Sequence, residues 1–144
     1  MMYYRIVMFL FLLFATSCSI GPQPIAYGSD GCHFCSMTIV DRQHAAEIVT
    51  DKGKVFKFDS SECMLNHLKD IGNKQIILYL VNDYDQPGEL IDATSATYLK
   101  SNRIPSPMGE FLTAFKSEKA AVDALLTYDG DLMTWEQLKL RFQL

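Results

Sequence analysis

Gly53-Lys54-Val55-Phe56-Lys57-Phe58-Asp59-Ser60 is a short, imperfectly alternating run that leads into a helix. A second stretch, Gly109-Glu110-Phe111-Leu112-Thr113-Ala114-Phe115-Lys116-Ser117, repeats its form with one extra residue. Each reads as a strand feeding a helix. After the first, Met64, Leu65, Leu68 and Ile71 recur at helical period and Gly72 ends the run. Asp59 is the expected cap, with Glu62 at the capping-box spacing. After the second, Ser117 caps a helix expected from Glu118 to about Thr127. Upstream of Gly53, Ala45 to Thr50 reads as a strand that returns through the turn Asp51-Lys52-Gly53-Lys54. Each half is thus a hairpin followed by a helix, and the chain predicts an α+β fold of two related lobes. Further strands are expected at Met37 to Val40, Gln75 to Val81 and Ala96 to Leu99. Loops are expected at Asn82 to Gly88 and Asn102 to Gly109, and a last short helix at Thr134, with Gln137 at the capping-box spacing. Met64 belongs to the apolar helix face and reads as core.

The chemistry concentrates in Gly31-Cys32-His33-Phe34-Cys35-Ser36-Met37. Two thiols, an imidazole and a thioether fall within six residues. Thiolate and thioether are soft donors that select Cu(I) over hard cations. On an extended strand, Cys35 and Met37 would leave the same face and could touch one ion. A Cys-x-x-Cys pair alone also suits a disulfide, a redox centre or zinc, but zinc sites draw on Cys, His and carboxylate rather than thioether. Cys63 falls in the first turn of its helix, where the amide dipoles favour a thiolate, and His67 follows at i+4. His33 is a further nitrogen donor if its loop turns. His44, in the turn Asp41 to His44, reads as a solvated side chain. Met108 is flanked by Pro107 and Gly109 in a loop, poorly placed for helix or strand packing and therefore a candidate thioether donor from the second lobe. Asp83, Asp85 and Glu89 read as a solvated acidic loop without a calcium-loop spacing.

The first seventeen residues read as a targeting segment. Arg5 precedes an apolar run from Ile6 to Ala15, about half the length that spans a bilayer, and small residues lead to Cys18. The pattern is that of a lipoprotein signal at residues 1–17, with Cys18 carrying the lipid. Residues 18–29, rich in Gly, Pro and polar side chains, read as a lipidated tether, with packing setting in near Ile25 and a copper-binding domain at 30–144. Cys18 aside, Cys32, Cys35 and Cys63 are an odd number for a purely structural disulfide framework. Removing residues 1–17 takes one base and no acid, so the net charge of −4 becomes more negative. With no basic cluster or basic helix in the sequence, neither nucleic acid nor a membrane surface is an expected partner of the folded domain.

These motifs together resemble the NosL family, the copper lipoproteins accessory to nitrous oxide reductase. The resemblance runs through Cys35-Ser36-Met37, where the family usually reads Cys-Gly-Met, and through Ala45-Ala46-Glu47 and Gly53 to Asp59. It continues in Cys63-Met64, Asp92-Ala93, Ala96-Thr97-Tyr98, Pro107-Met108-Gly109 and Ala114-Phe115. It implies a fold like the core of organomercurial lyase and no catalytic turnover. It also implies a lipid-anchored, periplasm-facing chaperone that passes Cu(I) toward the copper–sulfur centre of nitrous oxide reductase, with an ABC-type transporter and a periplasmic partner. Cys35, Met37 and Met108 are then the leading metal ligands, and His33, Cys63 and Cys32 secondary ones. Cys32 is expected to matter less than Cys35, because some family members lack it. Two rival functions remain open on the residues alone: an anchored thiol–disulfide oxidoreductase built on Cys32 and Cys35, and a zinc or mercury scavenger using Cys32, Cys35, Cys63 and His67.

Overall fold

The structure, a computed structural model, describes residues 20–144. The expected signal segment at 1–17 and the lipidated Cys18 lie outside the described residues. Among these, seven strands and three helices form two lobes. In the first, β1 (Ala46–Thr50) and β2 (Val55–Phe58) make a hairpin, α1 (Ser61–Asp70) follows, and β3 (Ile76–Asn82) returns beside β1. In the second, β5 (Thr97–Lys100) and β6 (Leu112–Phe115) make a hairpin, α2 (Glu118–Tyr128) follows, and β7 (Asp131–Met133) returns beside β5. The strand orders are β2-β1-β3 and β6-β5-β7, the same ββαβ unit twice. The first sheet gains an edge strand, β4 (Leu90–Asp92), and the second lobe ends in α3 (Trp135–Phe142). The two related lobes expected from the sequence are therefore present. β4 and β7 were not expected; each is only three residues long and too short to show a period.

The helix starts follow local chemistry. Ser60, not Asp59, caps α1: its hydroxyl accepts from the Cys63 amide at 3.2 Å. Ser117 caps α2 in the equivalent place, and Thr134 with Gln137 forms the expected capping box of α3. Gly130, between α2 and β7, sits at φ 129, and a β-carbon there would meet the Lys100 carbonyl oxygen at 2.2 Å, so only glycine fits.

Strand β1 is buried along its whole length, and so are both faces of the first sheet near it. Ile48, Phe56, Phe58 and Val81 join Met64 and Leu65 of α1 in a core that continues through Tyr98, Leu112, Ala114, Trp135 and Leu138 of the second lobe. Met64 is fully buried, as the helical period implied. Leu99 and Phe115 leave the second sheet by its other face and pack with Ala121 beneath α2.

The opposite face of the first sheet is covered by residues 20–30. Glu47 and Lys57 are cross-strand neighbours, and both are held by this segment. Gln23 N–H donates to Glu47 Oε1 at 2.9 Å, and Lys57 Nζ donates to the Pro24 carbonyl and to Asp30 Oδ2. Ile25 is buried in the core, and Gly28 N–H bonds the Ile39 carbonyl. Residues expected to be a tether are therefore a strap, and packing begins upstream of residue 30.

Polar bonds join the lobes. His44 is buried, its Nδ1 2.8 Å from Asp41 Oδ2 and its Nε2 3.3 Å from Thr113 Oγ1 of β6, so it is not the solvated residue expected. Asp83 is buried too: its carboxylate accepts from the Lys116 amide, while Glu89 pairs with Lys116 Nζ at the surface.

Candidate metal centre

The loop Gly31 to Thr38 turns back on itself instead of running as a strand. One antiparallel bridge joins Gly31 and Thr38, Cys32 N–H donates to the Met37 carbonyl at 2.7 Å, and Ser36 N–H donates to the Cys32 carbonyl at 2.9 Å. The reversal places Ser36 at φ 65, in the left-handed region. Cys35 and Met37 therefore do not share the face of an extended strand, and the strand expected at Met37 to Val40 is reduced to the single bridge at Thr38. The αL geometry gives a physical reason for glycine at this position, and here serine bears it.

The turn brings the two thiols of the loop against the start of α1. Cys32, Cys35, Asp59 and Cys63 each offer one donor atom, all within 4.8 Å of one another. Two sulfurs on one ion at about 2.3 Å can be no more than about 4.6 Å apart. The four groups thus need little movement to close on a single ion. All three cysteines are free thiols; Cys32 and Cys63 are buried and Cys35 is partly exposed. Asp59, buried with Oδ1 lacking a hydrogen-bond partner, is the donor the sequence reading missed. It was taken for the cap; with Ser60 in that role its carboxylate is free to face the thiols.

The site carries its negative charge on Cys32. The S–H of Cys63 donates to that sulfur, and backbone amides of Cys35, Asp59 and Phe34 point at it, so the Cys32 thiol is lowered to about 6. Cys63 is pushed up, because it donates to Cys32, is buried and also faces Asp59. The helix-start preference for a Cys63 thiolate is overridden by these neighbours. Cys35 is raised by burial, with the Cys32 sulfur opposing a second negative charge, although the Met37 amide donates to it. These contacts favour the thiolate at Cys32 and the thiol form at Cys35 and Cys63.

The thioethers stand at the surface. Met37 is 53% exposed and Met108 37% exposed. Met108 lies in a tight turn closed by Gly109 N–H to the Ser106 carbonyl at 3.0 Å. That turn is tied to the first turn of α1, since Ser106 Oγ and Leu112 N–H both donate to Oε1 of the fully buried Glu62, next to Cys63. The second lobe's methionine is thereby held to the helix that carries a first-lobe thiol.

His33 does not join the thiols. Its ring packs on Phe56 at 4.5 Å and edge-on to His67 at 5.1 Å. His67 Nε2 is buried without a partner, and burial, reinforced by His33, lowers its pKa. The zinc set expected from Cys32, Cys35, Cys63 and His67 is replaced by one with Asp59 in the place of His67.

Comparison with known proteins identifies the fold and the family. A crystal structure of the copper chaperone NosL from Shewanella denitrificans shares the fold, with a TM-score of 0.70 at 24% identity, covering 83% of this chain and 96% of that one. The copper-binding lipoprotein NosL of Stutzerimonas stutzeri is 31% identical over an alignment of 125 residues, which covers 81% of this chain and 66% of that protein. These relatives are named for copper binding and chaperoning, not for turnover. The NosL family model matches residues 25–142, most of the chain, and the protein belongs to the NosL family.

Proposed function

We propose that this protein is a lipid-anchored, extracytoplasmic chaperone for Cu(I). The carrying observation is the cluster of Cys32, Cys35, Cys63 and Asp59, whose hydrogen bonds favour a thiolate at Cys32. Three soft sulfurs around a low-coordinate ion suit Cu(I). The exposed thioethers of Met37 and Met108 are neutral, weaker donors through which cargo can be taken up or released. Copper is the cargo here, received and handed on. The recipient in this reading is the maturing copper–sulfur centre of nitrous oxide reductase, reached with an ABC-type transporter and a periplasmic partner. Anchoring at Cys18 is supported by the lipoprotein-type signal in the sequence and by the relative named a lipoprotein.

Anaerobic Cu(I) titration against a Cu(I)-selective chelator tests the reading. One tightly held Cu(I) per chain is expected, together with transfer to a copper-free cuproenzyme acceptor. On this reading Cys32 ranks with Cys35, against the order expected from the sequence, and Cys32→Ser should weaken binding at least as much as Cys35→Ser.

The zinc reading has one observation of its own, since three cysteines and a carboxylate can also close a tetrahedral zinc site. Retention of Zn(II) against a large excess of Cu(I) would overturn the copper proposal in its favour. The oxidoreductase reading lacks such support, because the low-pKa thiol of the pair, Cys32, is only 3% exposed and shielded from a protein disulfide.

A further inference from the structure

The strap fixes which end of the domain meets the membrane. Ile20, the first described residue, lies against the turn joining β1 to β2: a β-carbon at Gly53 would meet its Cγ1 at 3.5 Å. From Ile20 back to Cys18 is two residues, a reach of at most about 7 Å. From Ile20 onward the strap crosses the sheet, meeting Glu47, then Lys57, and arrives at the Cys32 loop, where His33 N–H bonds the Lys57 carbonyl. A lipid at Cys18 would thus be tethered within about 7 Å of Ile20 and so near the β1–β2 turn.

That end is basic in a chain whose net charge is −4. The β1–β2 turn supplies Lys52 and Lys54, and the α1–β3 turn supplies Lys74; all three are exposed. The two turns are joined by Asp51 N–H to the Gln75 carbonyl at 3.0 Å. Lys54 lies 4.5 Å above the Phe56 ring, and Lys74 Nζ donates to the Ile71 carbonyl. Asp51 and Asp70, both exposed, are the acids of these turns and of the helix end beside them. The lysines come from segments twenty residues apart in the chain, which is why no basic run marks them in the sequence.

We propose that this end of the domain, with Ile20, Lys52, Lys54 and Lys74, rests on an anionic phospholipid surface. The inference builds on the lipid anchor at Cys18 and adds an orientation to it. Three exposed lysines against two acids give this end a small positive excess on an acidic body, so the short lipid leash and the local charge select the same contact. Strand β2 then stands between membrane and metal. Gly53 to Asp59 is six residues of mostly extended chain, about 20 Å, so the thiol cluster is displayed away from the bilayer toward soluble partners.

Lysine acylation followed by mass spectrometry tests this on the full-length lipidated protein bound to vesicles. On phosphatidylglycerol-containing vesicles at low salt, Lys52, Lys54 and Lys74 should react about fivefold more slowly than on phosphatidylcholine alone. Lys116 and Lys119, both in the second lobe, should react equally on the two. Exchanging the three lysines for glutamate should remove the difference while flotation with vesicles persists. Flotation with all lysines reacting alike on both vesicle types overturns the docking face and leaves the anchor standing. Loss of flotation overturns the anchor reading and this inference with it. Protection of the three lysines on both vesicle types alike would also overturn it, because the contact would then owe nothing to anionic lipid.

Discussion

Lowering the pH of an anaerobic Cu(I) titration from 8 to 7 should raise the dissociation constant about 100-fold if all three cysteines bind the ion. The magnitude follows from the proton inventory of the site. Cys32 is lowered to about 6 and is a thiolate across this interval, so its sulfur gives up no proton to the metal. Cys35 is raised by burial, and Cys63 is raised chiefly by donating to Cys32; both are thiols at pH 7 to 8 and must lose protons on binding. Two protons displaced per ion make log K rise by about two per pH unit, about 2.7 kcal/mol. The sign is that of competition: more protons, weaker binding. Below pH 6 Cys32 protonates as well, and the slope should steepen toward about three. Cys35→Ser removes one displaced proton and should flatten the slope to about one between pH 8 and 7. The assay is competition with a Cu(I) chelator whose own proton dependence is known. A slope near zero in wild type refutes the three-thiol ligand set, and a slope near three refutes the assignment of the resting charge to Cys32. A slope near one, unchanged by Cys35→Ser, removes Cys35 from the site.

Three further outcomes are expected. Ser36→Gly should stabilise the metal-free protein by about 0.5 kcal/mol, read as a shifted denaturant midpoint, because it relieves the left-handed backbone at φ 65; a lower midpoint would mean that the serine side chain offsets the strain. Met64→Ala should cost roughly 2–5 kcal/mol of stability as a buried deletion, whereas the half-exposed Met108→Ala should cost less than about 1 kcal/mol and weaken Cu(I) binding; unchanged copper affinity in Met108→Ala would take the second lobe out of the site. Ser106→Ala removes a donor to buried Glu62 and the acceptor of the Phe111 amide, and should cost about 1–3 kcal/mol and loosen Met108; proteolysis of the 106–111 loop no faster than in wild type would refute that tie.

The doubled hairpin-plus-helix was legible because it rests on local signals: alternating strands, a serine or threonine before each helix, glycine after the first. What escaped was set by tertiary contacts. Residues 20–30 have a linker's composition, yet Lys57 and the amphiphilic Glu47 stem left the outer face of the first sheet needing cover, which no local pattern announces. Asp59 was expected as the cap on the strength of Glu62 at the capping-box spacing, whereas Ser60 one residue on takes the role, and that shift decided whether a carboxylate joined the thiols. Cys35 and Met37 were placed by assuming a strand, and the single left-handed residue Ser36 overturned that geometry. His44 looked like a turn residue because its partner Thr113 is 69 positions away.

The joint between the lobes bears on how the site can work. Apolar packing alone would tolerate sliding of one ββαβ unit over the other. Here three directional contacts set the register: Glu62 with Ser106 and Leu112, His44 with Thr113, and Asp83 with the Lys116 amide. Glu62 and Asp83 are buried carboxylates, and separating either from its donors leaves unpaired polar atoms in a dry interior, about 1–3 kcal/mol for each group and more if it stays charged. Opening the lobes to admit or release copper would break several such contacts together, a cost that a carrier with exposed donors need not meet. Met37 and Met108 already stand at the surface, and Cys35 is the most accessible of the three thiols. If the proposed ligand set holds, exchange through those three sulfurs requires no domain motion. The fold therefore favours transfer by ligand substitution at a fixed mouth over transfer by lobe opening.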